Sequence, residues 1–260
     1  MISTSDKTFF KKNGYLLKKN FFTKKKCKNI LSILLKYADN KYSPILNMDR
    51  FEFVFAQSKK KLNKLNTLSK TVNFIKETQN HTNLIKKFFL NEKLLKNLNF
   101  LYSRKIVGLQ TQVIFKKPST KYSKQSFNEH QDNSYAKNSK GLFFTAHTFL
   151  SKTSKKNGCI YVYSKSHKLK LLKFKKKISF REKNYKPGNK VSNIKLKKFK
   201  KIDMIGNAGD LLIMHGHLVH GSYPNNSKNL SRPIFAGCYI PEGEHFVAGK
   251  NAQRKVIKLD

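Results

Sequence analysis

The segment His130-Gln131-Asp132 places an imidazole and a carboxylate one residue apart, and it follows a stretch rich in β-branched and aromatic residues, Ile106 to Phe115. On a β-strand, residues i and i+2 point to the same side of the chain, so this spacing predicts that both side chains face one metal ion. Two histidines and one carboxylate on one face of the ion are the ligands of iron(II) sites that activate O₂. Alone, the tripeptide also fits a surface turn, so the prediction requires a second histidine.

The second histidine is predicted to be His220, which follows Asp132 by 88 residues, a separation that several strands would fill. His215 and His217 stand close to it, so the ligand has to be chosen among three histidines. His220 is favoured because of the polar residues that follow it, which are Ser222, Asn225, Ser227 and Arg232. His215 and His217 are expected to flank the ligand without contacting the metal.

Arg232 is informative because arginine is rare in this chain, occurring at five positions among 55 lysines and arginines. A lysine would be the ordinary basic residue, so arginine here indicates a need for a guanidinium group. Its planar fork can pair with a carboxylate through two hydrogen bonds. We therefore expect a dicarboxylate cosubstrate that binds iron at one end and Arg232 and Ser222 at the other. The alternative is an ion pair between Arg232 and an acidic side chain.

The composition is strongly basic, with a formal net charge of +41 over 260 residues. Such a charge raises the question of nucleic acid or an anionic membrane as a partner. The basic residues are nearly all lysine, however, and asparagine, phenylalanine and isoleucine are also abundant. These residue types share A/T-rich codons, so the charge is interpreted as nucleotide bias of the genome. Nucleic-acid binding stays open but is not favoured, because a nucleic-acid binder more often uses arginine.

The three cysteines, Cys27, Cys159 and Cys238, are odd in number and widely separated. They form neither a disulfide framework nor a CxxC metal motif, which indicates a reducing compartment. No apolar run approaches the roughly 18 to 20 residues that cross a bilayer, and the N-terminus lacks a signal-peptide pattern. We expect a soluble, cytoplasmic protein without a membrane span.

Helical patterns dominate residues 1–100. A short helical turn ends at Asn13-Gly14 and a short strand follows it, and Thr23 is a plausible N-cap for the next helix. Apolar residues at helical spacing predict two more helices, one from Leu62 to Ile75 and one from Leu84 to Leu98.

Strand patterns dominate residues 101–240. The predicted strands are Ile106 to Phe115, Leu142 to Leu150, Cys159 to Tyr163, Asp210 to Met214 and Pro233 to Ile240. The lysine-rich segment 168–201 is predicted to be an exposed insertion, and 241–260 a C-terminal tail. Helices followed by many strands favour a β-sandwich or barrel buttressed by helices, as one domain over 1–260.

Five motifs stand in order along nearly the whole chain. They are Phe10-Lys11-Lys12-Asn13-Gly14-Tyr15, Gln110 to Pro118, His130-Gln131-Asp132, Asn157 to Val162 with Ser166-His167-Lys168, and Gly209 to Ser222 with Asn225, Ser227 and Arg232. With these motifs the chain resembles the phytanoyl-CoA dioxygenase family of non-haem iron(II), 2-oxoglutarate-dependent oxygenases. Ser164-Lys165 and Glu129 depart from the residues usual in that family, which implies a different substrate pocket.

The resemblance implies a mainly β fold with buttressing helices around a double-stranded β-helix core of the jelly-roll or cupin-like kind. It implies that His130, Asp132 and His220 bind Fe(II), and that 2-oxoglutarate chelates this ion while its far carboxylate meets Arg232 and Ser222. The remaining residues expected near the cosubstrate are Gln112 and His147. His167 is interpreted as structural.

The predicted reaction is the oxidative decarboxylation of 2-oxoglutarate by O₂ to succinate and CO₂, coupled to hydroxylation of an unactivated C–H bond of a small molecule. Asp132 favours hydroxylation, because related halogenases carry a small residue there that leaves room for chloride. Two alternatives remain: an oxygenase guided by its basic surface to a polyanionic substrate, such as nucleic acid or an acyl-CoA, and a non-catalytic basic binding protein on the same scaffold.

Overall fold

The strands pair antiparallel into two main sheets and one two-stranded sheet in the computed structural model, which describes residues 1–40, 53–55, 72–118, 126–175, 190–192, 196–249 and 253–258. The larger sheet has the order β1 (Tyr15–Lys18), β11 (Leu211–His215), β6 (Phe144–Phe149), β13 (Ile234–Pro241), β4 (Ile106–Ile114), β3 (Val72–Lys76) and β2 (Phe53–Phe55). The smaller sheet has the order β10 (Lys201–Asp203), β7 (Ile160–Tyr163), β12 (His220–Ser222) and β5 (Phe127–His130). The predicted mainly β architecture is therefore confirmed.

The two faces of the larger sheet bury different neighbours. Its outer face carries residues such as Ile213, Ala146 and Phe235, which join one apolar cluster with side chains of the helices. Its inner face carries Leu212 and Met214, which pack with Ile160, Val162 and Leu218 of the smaller sheet and its loops. The same inner face also carries polar residues next to this second cluster, with Thr145 opposite Met214 and His147 opposite Leu212.

The N-terminal helix and strand are built as predicted. Helix α1 (Thr4–Asn13) starts with a capping box between Ser3 and Asp6, and it ends at Gly14 with φ of 81°, a left-handed conformation that glycine adopts at little cost. Helix α2 (Lys24–Asn40) starts after Thr23, whose hydroxyl accepts a hydrogen bond from the Lys26 backbone N–H at 3.2 Å. The predicted N-cap is therefore confirmed.

Two helix predictions need correction. The apolar pattern from Leu84 to Leu98 forms two helices, α3 (Asn83–Phe89) and α4 (Glu92–Tyr102), because the Asn91 side chain caps the second by accepting from the Leu94 N–H. The helix predicted from Leu62 to Ile75 is wrong at its C-terminal end, where Val72–Lys76 form β3 paired with β4. Val72, Phe74 and Ile75 are all buried, so burial does not alternate along this strand. Its sequence therefore lacks the period-two apolar pattern that predicts a strand. Residues 62–71 lie outside the described residues.

The structure describes residues 168–175, 190–192 and 196–201 of the lysine-rich segment 168–201. After the 3₁₀ turn Ser166–Leu169, strand β8 (Phe174–Lys175) pairs with β9 (Lys190–Val191), and a second 3₁₀ turn, Leu196–Lys198, leads into β10. The four-residue helix α5 (Asn133–Ala136) follows β5 directly. None of the helices in the described ranges is long and apolar enough to cross a membrane.

The Gly209-Asp210 pair anchors the entry to β11. The Asp210 carboxylate is buried and accepts hydrogen bonds from the backbone N–H groups of Asn20, at 2.8 Å, and Asn207, at 2.9 Å. Gly209 has φ of 96° and lies against the Phe22 carbonyl, where an added Cβ would sit 2.1 Å from the oxygen. This motif therefore joins the β1–α2 loop to the larger sheet and has a structural role.

We expect Gly209→Ala to destabilise the fold more than Gly243→Ala. Both glycines have positive φ, so each alanine should cost about 1–2 kcal/mol in backbone strain. An added Cβ at Gly243 meets no atom within 4 Å, whereas at Gly209 the carbonyl of Phe22 must move, which should cost a further ~1–3 kcal/mol. Urea unfolding of both variants measures the difference, and equal losses would contradict the packing role.

Candidate metal and cosubstrate site

His130 and His220 are brought together by strand pairing. His130 is the last residue of β5 and His220 the first residue of β12, and the two are direct partners in the antiparallel register. Their ring centroids lie 4.3 Å apart. Two segments separated by ninety positions in the sequence thus present their imidazoles side by side.

Asp132 reaches the same point by a different route from the one that the spacing predicted. It lies beyond the strand, at φ −62° and ψ −33°, as the N-cap of α5. The chain turns at Gln131, whose buried amide donates to the carbonyls of His217, at 2.6 Å, and Lys170, at 2.7 Å. The prediction that one strand carries both ligands is therefore wrong, because only His130 lies on the strand. The Asp132 carboxylate still faces the two histidines.

The three side chains form a compact donor set. The Nε2 atoms of His130 and His220 each lie 3.6 Å from the same Asp132 oxygen, Oδ1. This distance is too long for a good hydrogen bond. It is short enough for ligands sharing one ion, because donors bound at about 2.1 Å can be at most about 4.2 Å apart. Their ligand atoms all lie within 4.8 Å of one another, and among the described residues these three form the one His, Cys, Asp or Glu group that could hold a metal ion.

Neighbouring groups orient each donor atom. The Nδ1 atoms of His130 and His220 lie 2.7 Å and 3.1 Å from the carbonyls of Asn128 and Leu218. Because a carbonyl only accepts, each Nδ1 carries the proton, and each Nε2 lone pair faces Asp132. The hydroxyl of Thr145 on β6 donates to the other carboxylate oxygen, Oδ2, at 2.8 Å. Oδ1 is left to face the two imidazoles.

Burial and mutual charge set the protonation of these groups. Burial lowers the pKa of His220 to about 4, so its imidazole is neutral near pH 7. Burial alone would raise the pKa of Asp132, but the charges of His220 and His130 outweigh it, and the pKa is lowered. Burial acts to lower the pKa of His130, but the hydrogen bond and the charge of Asp132 outweigh it, and the pKa is raised. A neutral imidazole beside an ionised carboxylate is the state in which both bind a metal, so metal binding would release any proton that His130 holds.

Three of the predicted cosubstrate residues, His147, Gln112 and Arg232, lie on the inner side of the larger sheet or at its margin, whereas Ser222 lies on β12 of the smaller sheet. His147 on β6 and Gln112 on β4 both oppose Ala236 of β13, so all three share one row on one face. Burial lowers the pKa of His147 to about 3; the charge of Asp132 opposes this shift, and the charges of His220 and Arg232 add to it. Arg232 is 1% exposed and its backbone N–H donates to the Phe115 carbonyl at 2.8 Å.

The other histidines make contacts outside the donor set. His217 Nε2 accepts from the Asn133 side-chain amide at 2.8 Å, and His215 Nδ1 accepts from the His217 backbone N–H at 3.1 Å. His167 Nε2 lies 3.1 Å from the Lys11 carbonyl, and this contact ties the Ser-His-Lys turn to α1.

Lys116 is a residue of this region that the sequence did not single out. It is 0% exposed, and its ammonium donates to the Ser222 hydroxyl at 2.7 Å and to the Tyr223 carbonyl. Lysine is so common in this chain that one more, at the end of a strand, carries no signal. Its positive φ of 42° depends on tertiary contacts, which no local pattern records.

Comparisons with known proteins agree with the fold. The epimerase SnoN, solved with Fe3+, alpha ketoglutarate and nogalamycin RO, superposes with a TM-score of 0.70 at 14% identity, covering 95% of this chain and 86% of that one. EctD from S. alaskensis, solved with 2-oxoglutarate and 5-hydroxyectoine, gives 0.66 at 16% identity, with coverage of 98% and 82%. The carbocyclase SnoK gives 0.67 at 13%, with coverage of 95% and 87%. Among the curated proteins, none matches the chain.

The two facing sheets, with a His-Asp-His group between them, form a double-stranded β-helix like that of 2-oxoglutarate-dependent oxygenases. The predicted fold class is confirmed. The chain belongs to the phytanoyl-CoA dioxygenase (PhyH) family, whose sequence profile it matches over residues 10–234. The predicted family is confirmed, and with it the predicted class of enzyme, an iron- and 2-oxoglutarate-dependent oxygenase.

We expect His220→Ala to weaken Fe(II) binding by more than about 100-fold, because loss of a ligand should exceed the 10- to 100-fold cost of losing an orienting partner. Anaerobic calorimetric titration with Fe(II) measures the affinity. His217→Ala serves as the matched control, since it removes an imidazole three residues away that contacts Asn133 instead. Loss of iron binding in the control and its retention in His220→Ala would show that the wrong histidine was chosen.

Proposed function

We propose that this chain is a non-haem Fe(II)- and 2-oxoglutarate-dependent dioxygenase that hydroxylates an unactivated C–H bond of a small molecule, with succinate and CO₂ as coproducts. The observation that carries the proposal is the convergence of His130, Asp132 and His220 on one point between the sheets. The donor chemistry fits Fe(II), since two imidazoles and one carboxylate on one face leave the remaining positions open.

In this proposal His130, Asp132 and His220 hold the iron. Thr145 and the two backbone carbonyls fix the donor atoms, so that no ligand has to reorient when the ion enters. Bound iron and 2-oxoglutarate supply the oxidising chemistry. The residues of the chain orient the cosubstrate, keep water from the inner face and hold the substrate next to the metal.

Arg232 and Ser222 are proposed to bind the far carboxylate of 2-oxoglutarate. Both side chains are buried, and Arg232 can offer the carboxylate two parallel N–H donors. His147 and Gln112 share the inner row across Ala236, and we propose that they line the cosubstrate between the metal and Arg232. Neutral His147 can accept or donate a hydrogen bond there without adding a charge.

The carboxylate of Asp132 supports hydroxylation over halogenation. With iron bound, it would fill the coordination position that a halide needs, and the Thr145 hydroxyl donates to its other oxygen. Two of the similar structures are an epimerase and a carbocyclase, so the same fold serves several outcomes in other proteins. Hydroxylation is therefore the part of the proposal that product analysis has to test.

The three cysteines are free and buried, which supports the cytoplasmic setting that we propose. The proposed substrate is a small molecule that enters beside the metal. The polyanion alternative depends on the segment 168–201, much of which lies outside the described residues, and it stays a prediction of the sequence.

The proposal predicts that the protein with Fe(II) and O₂ converts 2-oxoglutarate to succinate, slowly without substrate and faster with it. His130→Ala should abolish this conversion, because it removes one of the three proposed ligands. Mass spectrometry measures succinate formation by the wild type and by the variant, and ¹⁸O₂ traces the oxygen atoms into succinate and product. If the wild type formed no succinate under any condition and failed to bind Fe(II), the enzymatic function would be excluded.

We expect Arg232→Met to weaken 2-oxoglutarate binding by about 100-fold, because a buried bidentate pair with a carboxylate is lost. An anaerobic titration of the Fe(II) protein with 2-oxoglutarate measures the affinity. Lys228→Met, a change at an exposed lysine four residues earlier, is the control and should bind as the wild type does. Unchanged affinity in Arg232→Met would reject the proposed role of this arginine.

A further inference from the structure

We propose that Arg254 binds the substrate of this site, and that the substrate is a small molecule whose carboxylate pairs with the guanidinium. This inference rests on the proposed function and names the chemical class of its substrate. It assigns a role to an arginine that belongs neither to the predicted metal ligands nor to the predicted cosubstrate residues.

The residue type at position 254 departs from the general composition of the chain. Arginine occupies five positions among 55 lysines and arginines, and the other basic residues of the C-terminal tail, at 250, 255 and 258, are lysines. A guanidinium differs from an ammonium in its planar fork, which pairs with a carboxylate through two parallel hydrogen bonds. Arginine at this position therefore indicates a need for that geometry and not for charge alone.

Arg254 is attached to the short helix that follows the metal ligand Asp132. Its Nη1 donates to the Tyr135 carbonyl of α5, at 3.4 Å, and to the carbonyls of Val247 and Ala248, at 3.4 Å and 3.3 Å. Asp132 is the N-cap of the same helix. One short helix thus joins the proposed metal site to this guanidinium.

Tyr135 contacts both the arginine and a metal ligand. Its backbone carbonyl accepts from Arg254, and its ring packs edge to face with the His130 ring, with the centroids 6.3 Å apart. An α-helix rises about 1.5 Å per residue, so the three steps from position 132 to position 135 span only about 4.5 Å. Arg254 is therefore within reach of a small molecule that lies next to the metal.

The same guanidinium borders the inner face of the larger sheet. Its central carbon lies 5.8 Å from the Phe143 ring centroid, and Phe143 belongs to one apolar cluster with Cys238 of β13. Cys238 lies opposite Thr145, whose hydroxyl donates to the Asp132 carboxylate. Burial raises the pKa of Cys238 to about 12; the charge of Arg254 opposes this shift, and the charge of Asp132 adds to it. The arginine and the metal-binding carboxylate therefore adjoin the same part of the inner face.

One edge of the guanidinium has no protein acceptor. Within the described part of the chain, all side-chain hydrogen bonds of Arg254 come from Nη1, and no acidic side chain forms an ion pair with it. Nε is buried without a partner. Nε and Nη2 form the edge that presents two parallel N–H groups, and a carboxylate placed there would satisfy the buried donor. The side chain keeps part of its surface exposed, so a ligand can approach it.

The charge of the site favours a carboxylate over a phosphate. A phosphate monoester carries roughly two negative charges near pH 7, and proteins commonly bind it with clusters of arginines. Arg104, a described arginine that also contacts the C-terminal segment, is already paired with Glu244 at 2.5 Å. The single charge of Arg254 matches that of one carboxylate. Pairing at this point would fix which C–H bond of the substrate faces the metal.

The test measures whether the protein prefers acids to amides of the same shape. The Fe(II) protein, saturated with 2-oxoglutarate in the absence of O₂, is titrated with hexanoate, cyclohexanecarboxylate and benzoate, and with the corresponding primary amides. Binding beside the metal is followed by the change in the visible charge-transfer absorption of the chelated 2-oxo acid. We expect at least one acid to bind about 10-fold or more tightly than its amide, as for a hydrogen bond to a charged group.

Substitutions assign this preference to Arg254. In Arg254→Met the preference should fall to about twofold or less, while 2-oxoglutarate should bind within about twofold of the wild type. Arg254→Gln keeps an N–H donor for the Tyr135 carbonyl and should lose the preference in the same way. Arg254→Lys keeps the charge without the fork and should retain a preference of roughly a few-fold. Lys255→Met, at the neighbouring exposed lysine, is the matched control and should behave as the wild type does.

Each outcome decides the question. A wild type that binds acids and amides alike, or an Arg254→Met protein that keeps the preference, would overturn the proposal. Equal weakening of the probes and of 2-oxoglutarate in Arg254→Met and Arg254→Gln would show that the arginine only supports α5, and would overturn it as well. Tighter binding of hexyl phosphate than of hexanoate to the wild type would overturn the assignment of a carboxylate.

Two further measurements keep these results separate from other failures. Thermal melting establishes the folding of each variant, and Arg254→Gln takes the place of Arg254→Met if the latter does not fold. A wild type that shows no chelate absorption with Fe(II) and 2-oxoglutarate would overturn the proposed function itself, and this result is distinct from a loss confined to the Arg254 variants.

Discussion

The cross-strand pair of His130 and His220 is the constraint on which the site depends. Directly opposite residues in an antiparallel pair have Cβ atoms about 4.5–5.5 Å apart, so the pairing alone sets the two imidazoles at a separation that one ion can bridge. Thr145 reaches Asp132 from the larger sheet, and the third donor is thereby tied to the opposite side of the sandwich. The apolar cluster that includes Phe149, Val162, Leu212 and Leu218 holds the sheets at the spacing that this contact needs.

Charge is distributed unevenly over the polar part of the interior. Burial keeps His147 and His220 neutral near pH 7, so these two imidazoles add little positive charge, whereas Asp132 outweighs burial at His130 and raises its pKa. Asp132 carries the negative charge that a metal ion would meet. The guanidinium of Arg232 is also buried, and Lys116, whose pKa is lowered by burial and by the charge of Arg232, donates a hydrogen bond to Ser222. An interior with a carboxylate at one point and a buried guanidinium at another fits the proposed cosubstrate, which would be chelated by a metal at one end and anionic at the other.

Features fixed by contacts within a few residues could be predicted from the sequence, whereas features that depend on distant partners could not. The Thr23 cap and the Asn13-Gly14 helix end were predictable, because each depends on hydrogen bonds within a few residues. The grouping of His130, Asp132 and His220 was predictable, because the motifs that contain them stand in order along the chain and resemble those of one family. The position of Asp132 at the start of a helix was not predictable, because the turn before it is fixed by hydrogen bonds from the Gln131 side chain to the carbonyls of His217 and Lys170. The strand at Val72–Lys76 and the burial of Lys116 likewise depend on partners far along the chain.

The motif residues divide into those that meet a ligand and those that hold the loops. Asn157 accepts from the Ser154 N–H at 2.7 Å and donates to the Lys152 carbonyl at 2.9 Å, while Asn225 ties Lys116 to Leu230. These buried amides satisfy backbone groups where irregular loops enter the interior, which would otherwise be costly. A substitution at either asparagine would therefore displace Lys116 or Arg232 without touching the metal ligands. For this reason a matching motif indicates a family, while the chemistry has to be argued from the side chains that converge.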